Sequence, residues 1–293
     1  MNKTENLHHC VDRTKIKMKY NPVIKWTGSK RTLSEEIITY FPKNINTYYE
    51  PFCGGCSILY QLLHSDVIVN EYICSDINID LITFFNMLKE NPNRIYDEYK
   101  NRWHILISYK TIPEKQEYYN KVRNDFNITH NPFDFIFLSR TAYNGLIRYN
   151  RHGNFNSPFH LTRNGINPEK FKPILIEWSR VLNEKSVTFI TRNYNEIKLN
   201  ENDYMFLDPP YCNSKELYYG NFNTNDFLIW LSHVSCNYSL TFDGIRGIND
   251  NSYNIPLNLY SQHVYLNGYN SGFSKLLKNN INLVNVKESL YIK

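Results

Sequence analysis

The sequence predicts an α/β fold in which a mostly parallel sheet is covered by helices and interrupted by a basic insert. Three observations support it. Residues 47–91 show a strand, a glycine loop, a helix, a second strand and a second helix. Further short apolar strands follow beyond residue 185. The stretch between these two regions is irregular and rich in Tyr, Asn and Arg. Strands that alternate with helices favour a parallel sheet with crossover connections.

The first elements follow from turn residues and apolar periodicity. Residues 1–21 are polar without an apolar period, so we expect a disordered or loosely docked arm. The segment KWTGSKRTLSEEIITYF enters a helix that Ser34 is expected to cap. Residues 47–50 form a strand, which a glycine turn connects to a helix. The second strand ends near Asp76, and its helix stops before Pro92. Later strands are predicted in SVTFITRNY, DYMFLDPPY, YSLTFDGI and QHVYLNGY.

The positive charge of the chain is concentrated in its middle. The 293 residues have a formal net charge of +5, yet residues 92–172 alone contain 13 Lys and Arg against 7 Asp and Glu. Such a surface is either an ordinary solvated face, in a chain rich in Asn, Ile, Lys and Tyr, or a surface that neutralises nucleic-acid phosphates. The charge alone does not distinguish the two.

Several classes of protein are excluded by composition. No apolar run approaches the roughly 18 residues that span a bilayer, and the first ten residues lack the apolar centre of a signal peptide. We therefore expect an intracellular protein, cytoplasmic or associated with DNA, with no membrane contact and no secretion. The six cysteines are too sparse for a disulfide scaffold, so no disulfide is predicted.

The glycine loop EPFCGGCS, residues 50–57, predicts a nucleotide-type site. Glycines between a strand and a helix let the backbone approach a ligand and expose helix N-terminal amides. Asp76 lies about 20 residues further, at the end of the next strand, where an acid that binds ribose hydroxyls is typical. The alternative is an ordinary tight turn followed by a capping aspartate. The GxxxxGK[ST] phosphate loop of NTPases is absent from the sequence.

Cys53 and Cys56 form a CxxC pair that also fits metal or redox chemistry. A structural zinc site needs a second pair of ligands at comparable spacing, and neither the HHC run at residues 8–10 nor Cys74 supplies it. We interpret the pair as small thiols that fill a crowded turn, and no metal is predicted.

The DPPY stretch, Asp208 to Tyr211, follows the apolar strand YMFL. Pro209 and Pro210 cannot donate to a sheet ladder, and their fixed φ angles hold Asp208 and the neighbouring carbonyls rigidly at the carboxyl end of the strand. A carboxylate and a carbonyl are both acceptors, so together they can bind the two hydrogens of an amino group. Tyr211 adds a flat face for an aromatic ring. The alternative is a strand terminator with a capping aspartate.

Together these motifs resemble the Dam-type (D12 class) DNA adenine-specific methyltransferases. The resemblance extends from about residue 22 to residue 293, and five motifs appear in family order: KWTGSKR, EPFCGGCS, SDIN, SRTAYNGLIRYNRHGNFNSPF and DPPY. Shorter segments that also resemble the family pattern are TFDGIRG, SGFSKLL and ESLYIK. The resemblance implies a Rossmann-like S-adenosylmethionine-dependent methyltransferase sheet. Its catalytic domain would comprise residues 22–91 and 173–293, with a mainly helical DNA target-recognition domain inserted at residues 92–172.

The resemblance also implies roles for individual residues. Asp208 would accept from the target amine and Tyr211 would stack on the flipped adenine. The implied catalytic residues are Asp208, Pro209, Pro210 and Tyr211. The implied S-adenosylmethionine-binding residues are Trp26, Lys30, Glu50, Phe52, Gly54, Gly55, Asp76 and Asp208. The implied DNA-binding residues are Lys25, Tyr143, Asn144, Leu146, Arg148, Asn150 and Pro158.

The basic insert acquires a role by the same route. An enzyme that modifies a base must flip it out of the duplex, at a cost of a few kcal/mol. The resemblance implies that Tyr143 fills the vacated site, that Asn144 helps hold the flipped state, and that Arg148 reads a guanine edge. For Arg148 or Arg151 a phosphate contact without base readout is the alternative. The basic excess would then neutralise DNA phosphates.

The chain departs from the family pattern at three places. Gly28-Ser29 stands where the first motif has two glycines, and Leu161 stands where some GATC-specific members have a basic residue. Cys56 replaces a glycine of the loop motif. If that position requires a positive φ angle, cofactor binding is expected to be impaired unless a small side chain fits.

The sequence therefore predicts a site-specific adenine methyltransferase acting on double-stranded DNA, with S-adenosylmethionine as cofactor. One alternative is an RNA or protein-amide methyltransferase, although those enzymes commonly carry NPPY and lack a basic insert. Another is a catalytically impaired relic that only binds DNA. A separate cognate restriction endonuclease is a candidate partner, and the oligomeric state and the recognition sequence are not predicted.

Overall fold

The structure, a computed structural model, describes residues 21–211, 222–268 and 286–293. The helices are α1 Ser34–Ile38, α2 Ser57–Leu63, α3 Ile79–Glu90, α4 Pro92–Ser108, α5 Ile112–Thr129, α6 Pro132–Thr141, α7 Pro168–Glu184 and α8 Thr224–Ser232. The strands are β1 Asn44–Glu50, β2 Ile68–Asp76, β3 Thr188–Thr191, β4 Tyr204–Leu207, β5 Asn237–Phe242, β6 Ile245–Arg246, β7 Asn249–Asp250, β8 Gln262–Gly268 and β9 Val286–Ile292. The predicted arm up to residue 20, Cys10, Cys212 and the SGFSKLL motif lie outside the described residues.

The described strands form one sheet with a parallel centre. Its order is β3-β2-β1-β4-β5-β9-β6-β7, and β8 pairs with β9. The first five strands pair in parallel, so that Tyr48 of β1 lies between Tyr72 of β2 and Tyr204 of β4. From β5 onward the pairs are antiparallel. The 3-2-1-4-5 order is that of a Rossmann-like sheet, which confirms the predicted fold class.

Both faces of the sheet are covered, as a parallel sheet requires. Along β4, Tyr204 and Phe206 point into a core shared with α2, α3, α6 and α7. Met205 and Leu207 point to the opposite face, where they pack with residues of α8. The apolar run YMFL is therefore buried on both sides. The two prolines of DPPY end the strand at its carboxyl end.

The insert is helical in its first half. Pro92 and Pro132 begin α4 and α6 just after asparagines that cap them, and α5 has a complete capping box between Thr111 and Glu114. These helices share the core of the first sheet face, since α4 packs on α7 and α6 on α3. The boundary placed between residues 172 and 173 falls inside α7, which contains Pro173.

One expected cap is wrong. Helix α1 begins at Ser34 itself, the cap position is Leu33, and no side chain makes a capping hydrogen bond. The Ser34 hydroxyl instead donates to the Arg31 carbonyl at 3.0 Å, because the preceding turn already brings that carbonyl within reach. In the part of the chain that the structure describes, none of the helices combines the length and apolar character needed to cross a membrane.

Candidate active site

A cleft opens at the carboxyl ends of β1 and β4, where the strand order changes direction. It encloses about 1070 Å³ of space that is open to solvent, and this crevice is where open α/β sheets bind ligands. All eight residues predicted for cofactor binding line it: Trp26, Lys30, Glu50, Phe52, Gly54, Gly55, Asp76 and Asp208. The structure thus brings four separate sequence motifs together around one cavity.

The glycine loop after β1 is packed against Trp26. A Cβ added at Gly54 would lie 2.5 Å from Trp26 Nε1, and one added at Gly55 would lie 2.9 Å from Trp26 Cβ. Gly54 also has a φ of +43°, which L side chains rarely adopt. Its amide donates to Asp76 Oδ2 at 3.2 Å. Because the Trp26 side chain leaves no room for a Cβ at either position, both residues must be glycine. The Gly54 hydrogen bond also links the loop to the end of β2.

Cys56 occupies a backbone position that favours glycine. Its φ and ψ are 52° and 39°, in the left-handed region, and it is fully buried. Its amide donates to the Cys53 carbonyl at 2.7 Å, and its thiol lies 3.9 Å from the Gly54 carbonyl oxygen. A left-handed non-glycine residue costs about 1 kcal/mol, which burial of the small thiol offsets. The position thus has the positive φ angle that was considered for it, and a cysteine occupies it.

The buried thiols of the loop behave as packing groups. Burial raises the pKa of Cys53 to about 11 and that of Cys56 well above its ordinary value, so the reactive thiolate is disfavoured at neutral pH. Cys53, Cys56, Cys74 and Cys236 are all free and buried. Among the described residues, no group of three or more His, Cys, Asp or Glu side chains is arranged to hold a metal ion.

Two carboxyl groups in the cleft are held in a low-dielectric setting. Burial raises the pKa of Glu50 to about 8 and that of Asp76 to about 6. Glu50 accepts from the Tyr48 hydroxyl at 2.7 Å, and Asp76 accepts from the Gly54 and Asn78 amides at 3.2 and 3.0 Å. These hydrogen bonds favour the ionised forms but do not outweigh burial. Both groups therefore suit a ligand that brings hydroxyl groups or a positive charge.

Asp208, by contrast, is surrounded by donors. Lys30 Nζ lies 2.8 Å from each of its carboxylate oxygens and 3.0 Å from the Gly28 carbonyl. The Thr241 hydroxyl donates to Asp208 Oδ1 at 2.8 Å. Burial opposes the charge of Lys30, but Asp208, followed by Tyr211 and Glu288, outweighs it and raises the pKa of the ammonium well above its usual value. The Lys30–Asp208 pair is therefore an ion pair that is already complete in the protein.

Tyr211 lies against the same pair. Its hydroxyl donates to Asp208 Oδ1 at 3.2 Å and lies 3.4 Å from Glu288 Oε2, and Lys30 Nζ is 4.9 Å from its ring centroid. Its ring stacks on Phe242 with centroids 6.0 Å apart. Burial and the nearby Asp208 charge raise the pKa of the phenol well above its usual value, so it stays protonated. Of the DPPY residues, Asp208 and Pro210 line the cleft.

The residues predicted to contact DNA lie around the turn after α6 and on neighbouring Lys25. Lys25 packs on Gly145, where an added Cβ would lie 2.5 Å from Lys25 Cβ. Tyr143 is 40% exposed, and its amide donates to the Pro158 carbonyl at 2.8 Å. Asn144 has a φ of 53°, which its short polar side chain tolerates. Lys25, Tyr143, Asn144 and Pro158 therefore form one exposed group.

The remaining three predicted DNA contacts follow along an extended stretch. Leu146, Arg148 and Asn150 are each partly exposed. Arg148 Nε donates to Asn156 Oδ1 at 2.9 Å, so one of its five donors is already used within the insert. Asn150 Oδ1 accepts from two amides of the loop at residues 150–154, so this side chain stabilises the loop.

A basic cluster beside Tyr143 was missed in the sequence. Burial, Arg140 and Arg163 lower the pKa of Lys25, and burial, Arg163 and Lys25 lower the pKa of His160. The His160 ring lies 5.3 Å from that of Tyr143. The repulsion that Arg140 and Arg163 exert on Lys25 favours an anionic ligand beside these cations. The basic excess of residues 92–172 was the sequence signal, but it could not show which cations meet.

Sequence reasoning also missed residues that complete the cleft. Thr241 and Glu288 lie in TFDGIRG and ESLYIK, two segments resembling the family pattern to which no role was assigned, and both approach the Asp208–Tyr211 pair. Ile147 and Tyr149 lie within the motif predicted to contact DNA, yet they line the cleft. Their alternation with Leu146, Arg148 and Asn150 was a visible signal of a two-faced strand.

Comparisons with known proteins agree with this geometry. A model of the D12 class N6 adenine-specific DNA methyltransferase family matches residues 26–239. The Type II methyltransferase M.MjaIII of Methanocaldococcus jannaschii is 32% identical over 209 residues, which are 66% of this chain and 70% of that protein. A DNA adenine methylase of Haemophilus influenzae is 35% identical over 159 residues, 53% of this chain and 52% of that protein. A DNA adenine methylase of Vibrio cholerae is 32% identical over 202 residues and covers 66% of each chain.

Proposed function

The chain belongs to the D12 class N6 adenine-specific DNA methyltransferase family, and we propose that it transfers a methyl group from S-adenosylmethionine to the exocyclic amine of an adenine flipped out of double-stranded DNA. Family membership confirms the resemblance seen in the sequence and makes the chain an adenine-specific DNA methyltransferase. The observation that carries the finer proposal is the position of Asp208. Its carboxylate, held by Lys30 and Thr241, opens onto the same cleft as Glu50 and Asp76.

The cofactor half of the cleft suits S-adenosylmethionine. Asp76 lies at the end of β2, where an acid accepts hydrogen bonds from ribose hydroxyls. Glu50 is buried beside the glycine loop and would accept from the ammonium of the methionine part, a cation that offsets its burial. Trp26, Phe52 and the two glycines shape the apolar wall. Bound there, the cofactor supplies an electrophilic methyl group on a sulfonium.

The catalytic half suits an amine. Asp208 would accept one hydrogen of the adenine amine and the Pro209 carbonyl the other, which orients the nitrogen lone pair toward the methyl group. The amine nitrogen gains positive charge during transfer, and the fixed Asp208 carboxylate stabilises it without reorganising. Lys30 and Thr241 hold that carboxylate in place. The Tyr211 ring, which stacks on Phe242 in the structure, would have to move to stack on the flipped adenine.

The insert suits duplex DNA, and we propose that residues 92–172 form the target-recognition domain. Exposed Tyr143 would fill the space that the flipped adenine leaves, with Asn144 beside it. Arg148 would read a guanine edge, or contact a phosphate as the alternative. Lys25 and Arg163 would neutralise backbone phosphates, which supply most of the sequence-independent affinity.

Nucleoside analysis tests the function directly. Purified protein, S-adenosylmethionine and an unmethylated plasmid should yield N6-methyladenine, and sequencing of the modified adenines should show one recurring sequence context. An established adenine methyltransferase serves as the positive control. An unmodified plasmid beside a modified control would contradict the proposal. Cofactor and duplex binding, measured separately, would then show whether the chain is a relic that only binds DNA.

One relative is named a Type II methyltransferase, so we extend the proposal to a separate restriction endonuclease of the same specificity in the host. Deletion of this chain alone should then be lethal, because unmethylated sites would be cut. Normal growth of the deletion strain would contradict this part of the proposal.

A further inference from the structure

One short stretch of the insert faces two sites. Residues 146–150 run extended after the turn at Tyr143, and Tyr149 forms an antiparallel bridge with Phe155. Ile147 and Tyr149 are each 5% exposed and line the cofactor cleft. Leu146, Arg148 and Asn150 alternate with them and are partly exposed. These three are the residues of the stretch proposed to contact DNA, so its opposite faces serve cofactor and DNA.

The cleft side of this stretch is fastened to the helix that follows the ribose-binding strand. The Tyr149 hydroxyl donates to Asp80 Oδ2 at 3.1 Å. Asp80 is 4% exposed, lies in the first turn of α3, and has His130 Nδ1 2.9 Å from its other oxygen. Helix α3 begins three residues after Asp76. The hydroxyl contact therefore fixes the recognition stretch to the wall that would hold the cofactor's ribose.

The DNA side is fixed just as firmly to the rest of the insert. The Arg148 amide donates to Ser157 Oγ at 3.1 Å, and its carbonyl accepts from the Asn156 amide at 2.9 Å. The Asn127 side chain bonds both the amide and the carbonyl of Phe155. Residues 147–149 and 155–157 are therefore joined as one hairpin, in which Arg148 directly precedes Tyr149.

We propose that Tyr149 and Asp80 are positioning residues that couple cofactor binding to DNA recognition. A ligand that fills the cleft packs on Ile147 and Tyr149, holds the stretch in this register, and thereby presents Arg148 to the duplex. Because such coupling is reciprocal, DNA must tighten cofactor binding by the same factor. The inference rests on the proposed function, since it takes the cleft as the cofactor site and Arg148 as a DNA contact.

A linkage measurement tests the coupling. The dissociation constant of S-adenosylhomocysteine is measured by calorimetry with and without a duplex that carries the sequence methylated in the plasmid. The duplex affinity is measured by fluorescence anisotropy with and without S-adenosylhomocysteine. In the wild type, each ligand should tighten the other equally. Tyr149→Phe keeps the ring that packs on the ligand but removes the hydroxyl, and should lower that factor about fivefold, the worth of one hydrogen bond.

The controls separate coupling from general loosening. Tyr99→Phe removes another buried hydroxyl of the insert, which donates to the Ile166 carbonyl and accepts from the Ile166 amide away from the cleft, and should leave the coupling factor unchanged. Asp80→Asn added to Tyr149→Phe should lower the factor no further. Wild-type coupling in Tyr149→Phe, or the absence of coupling in the wild type, would overturn this inference but not the proposed function. Failure of the wild type to bind S-adenosylhomocysteine would overturn the proposed function, and the inference with it.

Discussion

Among the described residues of the cleft, three carboxyl groups lie at the ends of neighbouring strands but in different surroundings. Asp208 has an ammonium, a hydroxyl and a phenol within hydrogen-bond distance. Glu50 is buried and Asp76 is half-buried, both have neutral partners, and desolvation raises the pKa of both. The catalytic half is therefore organised before any ligand arrives, whereas the cofactor half becomes electrostatically complete only with a ligand. The difference indicates which half should tolerate the loss of a charge.

Replacing one ionisable group in each half with a neutral side chain gives the largest contrast. Lys30→Met leaves Asp208 without its buried cation and should destabilise the protein by about 3 kcal/mol, the usual result of breaking a buried ion pair. Glu50→Gln removes a carboxyl group that must be protonated to be buried, since its pKa is about 8, so at neutral pH this variant should be at least as stable as the wild type. Urea denaturation at neutral pH measures both. Equal losses would contradict the distinction between the two halves.

A steric change in the cofactor half should lower the affinity for the cofactor and leave the affinity for DNA unchanged. In Gly54→Ala the new Cβ meets Trp26 Nε1 at 2.5 Å, so the indole must move and cofactor affinity should fall by up to about 100-fold. Gly153→Ala is the matched control, since Gly153 also has a positive φ but nothing lies within 4 Å of an added Cβ. Calorimetry with S-adenosylhomocysteine measures the loss. A similar loss in both variants would assign it to backbone strain and remove Trp26 from the explanation.

The raised pKa of Glu50 predicts a pH dependence. A ligand ammonium favours the ionised carboxylate, so cofactor binding should release a proton and tighten about tenfold between about pH 6 and pH 7, below the pKa of an α-amino group. In the protein without ligand, the protonated Glu50 carboxyl contributes to the free energy of unfolding. This contribution is fully present below the ordinary pKa of 4.5 and is lost as the pH rises through about 8. Titration calorimetry in two buffers counts the protons, and Glu50→Gln should remove this release. An unchanged proton count in that variant would exclude Glu50 as the source.

The smallest effect is expected at Cys56. Cys56→Gly relieves a left-handed backbone at a gain of about 1 kcal/mol but loses a buried thiol and adds freedom to the unfolded chain, so the terms nearly cancel. Cofactor affinity should stay within about threefold of wild type. Cys56→Ala keeps the strain and loses the sulfur, and should be the less stable variant by thermal denaturation. A large gain in cofactor affinity for Cys56→Gly would show that the cysteine impairs the loop.

Local patterns carried most of the sequence prediction. The fold class could be predicted from the local order of strands and helices. The glycine loop, Asp76 and Asp208 each lie in a short motif whose chemistry depends on near neighbours, and the structure places them around one cleft. Thr241 and Glu288 were not assigned because their roles depend on contacts between distant strands. Tyr149 was taken only as part of the recognition motif, since its contact with Asp80 joins residues 69 positions apart. Ser34 failed as a cap because the preceding turn supplied another partner for its hydroxyl.

Single-turnover methyl transfer by Asp208→Asn tests the central claim most directly. The substitution keeps the side-chain size but removes the charge that would stabilise the amine in the transition state. With labelled cofactor and duplex bound beforehand, transfer should slow about 1000-fold or more, while both dissociation constants stay within about threefold of wild type. Transfer within about tenfold of the wild-type rate would contradict the account and remove Asp208 from the chemistry.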